Sequence, residues 1–111
     1  MPAAWACRAC RAPRLATKGR AAAAEALREA TEWLVSQSAD DRNAGAVPYL
    51  RAFARVLGGH YHLKAALADA ARLPLARIAI RRLLPEHAAL LAQLREGAGD
   101  LYALTPEALA S

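Results

Sequence analysis

Between Ala44 and Ala71 the chain reads AGAVPYLRAFARVLGGHYHLKAALADAA, a stretch that, wound as one helix, is apolar around more than half its girth. With Leu50 set as the origin and an advance of about 100° per residue, Val47, Ala54, Leu57, Tyr61, Lys64, Ala65 and Ala68 cluster around it. Tyr49, Val56, Leu63 and Leu67 lie on an adjoining side, and Phe53 falls between the two sets. Only a strip holding Arg51, Arg55, His62 and Asp69 is left for water. A helix apolar on two sides needs partners on both. In a chain of 111 residues they are hard to supply from within.

The rest of the chain is helical in character too. It holds 31 alanines and 17 leucines, both strong helix formers, and few β-branched or aromatic residues. No long alternation of apolar and polar residues signals a strand, and no Asn-Gly or Asp-Gly pair signals a hairpin. Charges interrupt every apolar run before it reaches spanning length, so no membrane helix is expected. The predicted fold is all-α: a small three-helix, up-down bundle with a kinked third helix and a short C-terminal helical turn.

The net charge of +5 suggests nucleic acid until it is located. Arg8, Arg11, Arg14, Lys18 and Arg20 occupy residues 1–20 without an acidic neighbour, while residues 21–111 carry equal numbers of acids and bases. The excess therefore sits on a basic N-terminal segment, expected to be disordered, and not on the folded part over 21–111. Arg77, Arg81 and Arg82 read as a solvated helix face. Nucleic acid is not an expected partner. Cys7 and Cys10 form a CxxC, either a redox pair or half a zinc site. No second ligand pair completes a tetrahedral site, and no βαβ context supports a thioredoxin-like motif.

Three helices are expected in order. The first spans about Lys18 to Ser38 with Ala23, Leu27, Ala30 and Leu34 as its seam and Trp33 beside it. A polar connection, Ser38 to Asn43, leads to the second helix, where Pro48 is tolerated in the first turn. Leu73-Pro74 ends that helix. Pro74 opens a third that runs to about Glu96, with Ala76, Ile80, Leu83, Leu84, His87, Leu90, Leu91 and Leu94 on one face. Pro85 removes a backbone bond in its middle and should kink it. Gly97 and Gly99 loosen the chain before a last turn capped by Thr105 and opened by Pro106.

Residues that invite a chemical reading support packing instead. His60 and His62 on a helix point about 200° apart and cannot chelate one ion. His87 lies in the leucine stripe, bonded to a neighbour or facing a partner. Gly58 and Gly59 cost about 1 kcal/mol each against alanine inside a helix, which close approach by another helix would explain. Tyr49, Phe53, Val56, Gly58, Gly59, Leu63, Leu67, Pro85 and His87 are accordingly the expected packing and interface residues. No Walker motif, dinucleotide fingerprint, metal quartet or nucleophile elbow occurs. No catalytic, cofactor-binding or metal residue is assigned.

These packing residues carry a family resemblance. Gly45, Ala46, Tyr49, Leu50, Arg51, then Gly58, Gly59, and Ala65, Ala66, Leu67 follow a pattern that continues in Ala76-Arg77, Leu83-Leu84-Pro85, Gly97 to Leu104 and Pro106 to Ala108. With LREATEWL upstream, Leu27 to Leu34, this resembles the C-terminal helical domain of a subgroup of acyl-CoA dehydrogenases, the acetyl-CoA dehydrogenase C-terminal-like domain carried by methylmercaptopropionyl-CoA dehydrogenases. His60 stands where that family has a larger aromatic, and residues 1–20 do not follow it. The family's FAD-binding and acyl-CoA-binding body, with its catalytic glutamate, has no counterpart in these residues.

The resemblance implies a non-catalytic accessory domain linked to acyl-CoA oxidation, in the cytoplasm, holding no cofactor itself. Its implied partner is an acyl-CoA dehydrogenase body or a second copy of itself. The expected origin is an orphan fragment, a truncated gene or a misread frame. The alternatives are a free-standing helical module that self-associates, and a nucleic-acid binder using the basic tail.

Overall fold

The computed structural model describes residues 3–111, with side chains from Lys18 onward. Every regular element among the described residues is helical, in keeping with the all-α expectation. Helix α1 covers Ala3–Val35 and α2 covers Ala39–Ala68. A 3-10 turn, Ala70–Arg72, leads into α3, Leu73–Ile78. A π-helical turn, Ala79–Leu83, separates α3 from α4, Glu86–Leu94. The short helices α5, Gly99–Ala103, and α6, Pro106–Ala110, end the chain.

Helix α2 is the centre of the bundle. It packs against α1, α3, the π turn and α4, while α1 reaches α4 and the π turn. The expected seam of α1 is in place: Ala23, Leu27 and Ala30 are buried against this core, with Trp33 and Leu34 partly buried beside them. Leu90 and Leu94 of α4 are the largest side chains wholly enclosed. Val56 and Leu63 of α2, with Ile80 and Leu84, complete the cluster.

Several boundaries differ from expectation. Helix α1 begins at Ala3, not near Lys18, so its backbone takes in residues 3–20 of the basic segment. Its side chains before Lys18, Cys7 and Cys10 included, lie outside the described residues.

Helix α2 begins at Ala39, because the supposed polar connection is its capped first turn. Ser38 Oγ accepts from the Asp41 amide at 3.3 Å, and Asp40 and Asp41 place negative charge at the positive end of the helix. Pro48 therefore stands inside the helix and not in its first turn. The helix stops at Ala68, where Asp69 Oδ1 accepts from the Ala71 amide at 3.1 Å and caps the 3-10 turn.

The expected single third helix is two helices joined by the π turn. There the Leu84 amide donates to the Ala79 carbonyl, five residues back, at 2.8 Å. A wide turn just before Pro85 gives room to the pyrrolidine ring, which would clash with the preceding turn of a regular α-helix. After α4, Gly97 takes a left-handed φ of 74°, the usual helix-terminating conformation. Asp41 Oδ1 accepts from the Ala98 amide at 2.9 Å, fastening the end of α4 to the start of α2. A Cβ on Gly97 would lie 2.9 Å from that same oxygen. This glycine secures a junction and does not merely loosen it.

Candidate docking surface

The two apolar sides of α2 meet different fates. The inner side is built from small residues at every seventh position, Gly45, Ala52, Gly59 and Ala66, all buried. They let neighbouring helices approach the backbone closely. A Cβ on Gly45 would meet the Leu94 carbonyl oxygen and Leu34 Cδ1 at 3.2 Å each. Tyr49, Val56 and Leu63 flank this line, and the Tyr49 hydroxyl pairs with Thr31 Oγ1 at 2.9 Å.

The outer side is uncovered. Val47 is 66% exposed, Leu50 67% and Tyr61 57%, with Leu57 and Phe53 about two-fifths exposed. Together with Ala54, the residues Val47, Leu50, Leu57 and Tyr61 follow alternating steps of four and three, the spacing of a seam that receives another helix. Ordinary surface apolar residues are scattered singly, whereas a contiguous stripe marks an interaction site.

Two flanks frame the stripe. Toward α4, Arg51 and Arg55 both pair with Glu86, each at 2.7 Å, so these arginines face water as expected and also bridge two helices. Toward α1, a groove of about 280 Å³ is walled by Ala21, Ala24, Leu27, Phe53, Val56 and Leu57. Arg20 and His60 stand at its end, where an Arg20 terminal nitrogen donates to His60 Nδ1. His60 thus faces α1 from the border of the stripe, with its ring edge-on to Tyr61. The pairing spans 40 residues of sequence and leaves no local signature.

The nine expected packing residues divide between core and surface. Val56, Gly59 and Leu63 are buried, and a Cβ on Gly59 would lie 3.8 Å from the Leu84 side chain. Tyr49 is partly buried. Phe53 lies on the groove wall, with its ring 6.3 Å from that of Tyr49. Leu67 is 74% exposed, and Gly58 has nothing within 4 Å of its potential Cβ. Pro85 is exposed beside the π turn. His87 Nδ1 donates to the Leu84 carbonyl at 2.7 Å, closing the backbone around Pro85.

Chemistry is sparse. Among the described residues no cluster of three His, Cys, Asp or Glu side chains could hold a metal ion. Glu25 is held below its usual value by a hydrogen bond from Arg28, whose own value rises in return; both are surface groups on α1. No helix among the described residues is long and apolar enough to cross a membrane.

A family model described as acetyl-CoA dehydrogenase C-terminal like matches residues 15–105. No curated protein and no solved structure matches the chain.

Proposed function

The chain belongs to the acetyl-CoA dehydrogenase C-terminal-like family, and we propose that it is a non-catalytic packing domain that docks on the body of an acyl-CoA dehydrogenase. The observation that carries this reading is the outer stripe of α2, apolar and helix-spaced yet open to solvent. In this role the flavin and the acyl-CoA chemistry belong to the body. This chain contributes surface, with the inner line of small residues holding α2 rigidly behind the stripe.

The test is biochemical. The chain purified alone should carry no flavin absorbance and oxidise no acyl-CoA with an artificial electron acceptor. Added to a dehydrogenase body lacking this domain, it should co-elute with it, and Leu50→Asp should abolish co-elution while leaving the circular dichroism of the chain intact. Stoichiometric flavin with turnover on the chain alone would overturn the proposal, as would co-elution indifferent to Leu50→Asp.

A further inference from the structure

A second apolar segment of the chain is as uncovered as the stripe. Every residue from Gly99 to Ser111 is exposed, and neither α5 nor α6 packs substantially on another element among the described residues. Leu101 is 63% exposed, Tyr102 73%, Leu104 55% and Leu109 74%. A helix of five residues does not hold itself in water, because its first turn fixes several residues in return for one backbone bond. Both turns are nonetheless formed. The Tyr102 amide donates to the Ala98 carbonyl at 3.1 Å, and Thr105 Oγ1 accepts from the Ala108 amide at 3.2 Å. Such a segment needs a surface to lie on.

We propose that residues 99–111 are an exchange arm. In a pair of copies, each arm lies along the α2 stripe of the other, with its four large apolar side chains against Val47, Leu50, Leu57 and Tyr61. The root of the arm selects a second copy over its own chain. Ala98 is tied to Asp41, which stands nine residues before Leu50 and therefore half a revolution round α2 from it. The arm's own stripe is on the far face of that helix, beyond flanks occupied by α1 and α4. Size agrees as well. The four large side chains of the arm expose on the order of 500 Å², and the five of the stripe about as much. One arm on one stripe buries roughly 1,000 Å², at the weak end of specific contacts, whereas the reciprocal pair buries roughly 2,000 Å², enough for a stable dimer. A twofold axis closes the exchange and leaves neither surface open. Charge fits the same occupant. Lys64, on the stripe, has no carboxylate partner among the described residues, and the arm brings Asp100 and Glu107 without a basic residue.

This inference goes beyond the packing reading, shares its stripe and fails separately from it. Sedimentation of the full chain alone should show a dimer at micromolar concentration. The arm variant Leu101→Asp with Leu104→Asp and the stripe variant Leu50→Asp should each sediment as a folded monomer, with circular dichroism unchanged. Their equimolar mixture decides the matter. The arm variant keeps an intact stripe and the stripe variant an intact arm, so the two should form a heterodimer through one contact. Its Kd should be at least about 10-fold weaker than that of the wild-type dimer, because the second contact of a reciprocal pair forms at high effective concentration. Should Leu50→Asp fail to fold, Tyr61→Asp, at a position 57% exposed, takes its place. A wild-type monomer up to about 100 μM, a concentration at which even a weak specific pair forms, would overturn the proposal. So would a dimer that survives the arm variant, since the stripes would then meet each other, or a mixture that stays monomeric. Co-elution of a dehydrogenase body with the arm variant, despite such results, would leave the packing role standing and remove only the exchange.

Discussion

Three glycines in α2 sit in three environments, and replacing each by alanine separates backbone propensity from packing. At Gly58 a new Cβ meets nothing within 4 Å. Only the gain from restricting the unfolded chain and improving helix propensity applies, about 1 kcal/mol in favour of folding. At Gly45 the same gain is opposed by contacts of 3.2 Å to Leu34 Cδ1 and to the Leu94 carbonyl oxygen, with Leu94 Cγ at 3.3 Å. A backbone carbonyl cannot rotate away as a side chain can. Overpacking of this kind costs about 1–3 kcal/mol, so with the gain of about 1 kcal/mol set against it Gly45→Ala should destabilise by about 0–2 kcal/mol net. Gly59→Ala, with its nearest neighbours at 3.8 Å, should follow Gly58 in sign. Urea unfolding with unchanged m-values measures all three, and at about 4–8 °C per kcal/mol the melting temperatures should diverge clearly. If Gly45→Ala and Gly58→Ala shift stability in the same direction, the division of α2 into a packed and an open side is refuted.

Other perturbations test the core, the junction and the surface. Leu94→Ala removes a wholly enclosed side chain and should cost about 2–5 kcal/mol in chemical denaturation; a loss below 1 kcal/mol would contradict its place in the core. Asp41→Ala strips the acceptor from the Ala98 amide and should cost about 1–3 kcal/mol, with faster hydrogen exchange at Ala98 as the local signature. Glu25 has its value lowered by the Arg28 hydrogen bond, so its contribution is fully present above the unfolded value of 4.5 and is lost as pH falls through the lower folded value. Its NMR titration midpoint should rise in Arg28→Met, and an identical midpoint in both proteins would dismiss the pairing.

What the residues foretold follows from which physical signals are local. The seam of α1 at Ala23, Leu27 and Ala30, and the placement of Val56 and Leu63, are legible because apolar side chains repeat with the helical period. The uncovered side of α2 is legible for the same reason, as an excess of apolar surface over available cover. The inner line of Gly45, Ala52, Gly59 and Ala66 is not, since glycine and alanine add little to an apolar pattern in a chain with 31 alanines. The start of α2 is hidden because Asp40 to Asn43 is a solvated first turn, polar like any connection. The π turn is equally silent, as apolar spacing cannot distinguish a widened turn from a kink. Arg20 with His60, and Arg51 and Arg55 with Glu86, are products of tertiary packing, invisible to any window along the chain.

The opposed faces of α2 set up two separate kinds of mutational constraint. On the inner line, enlargement is judged inside the folded chain itself, penalised at Gly45 and admitted at Gly59 as far as a methyl at ordinary contact distance. On the outer stripe, exchange of Val47, Leu50 or Tyr61 for polar residues leaves the isolated fold nearly untouched. A selection for folding alone would therefore record only half of this helix, with tolerated positions on the stripe side. A selection for assembly would record both halves, and subtracting one map from the other would trace the partner's footprint.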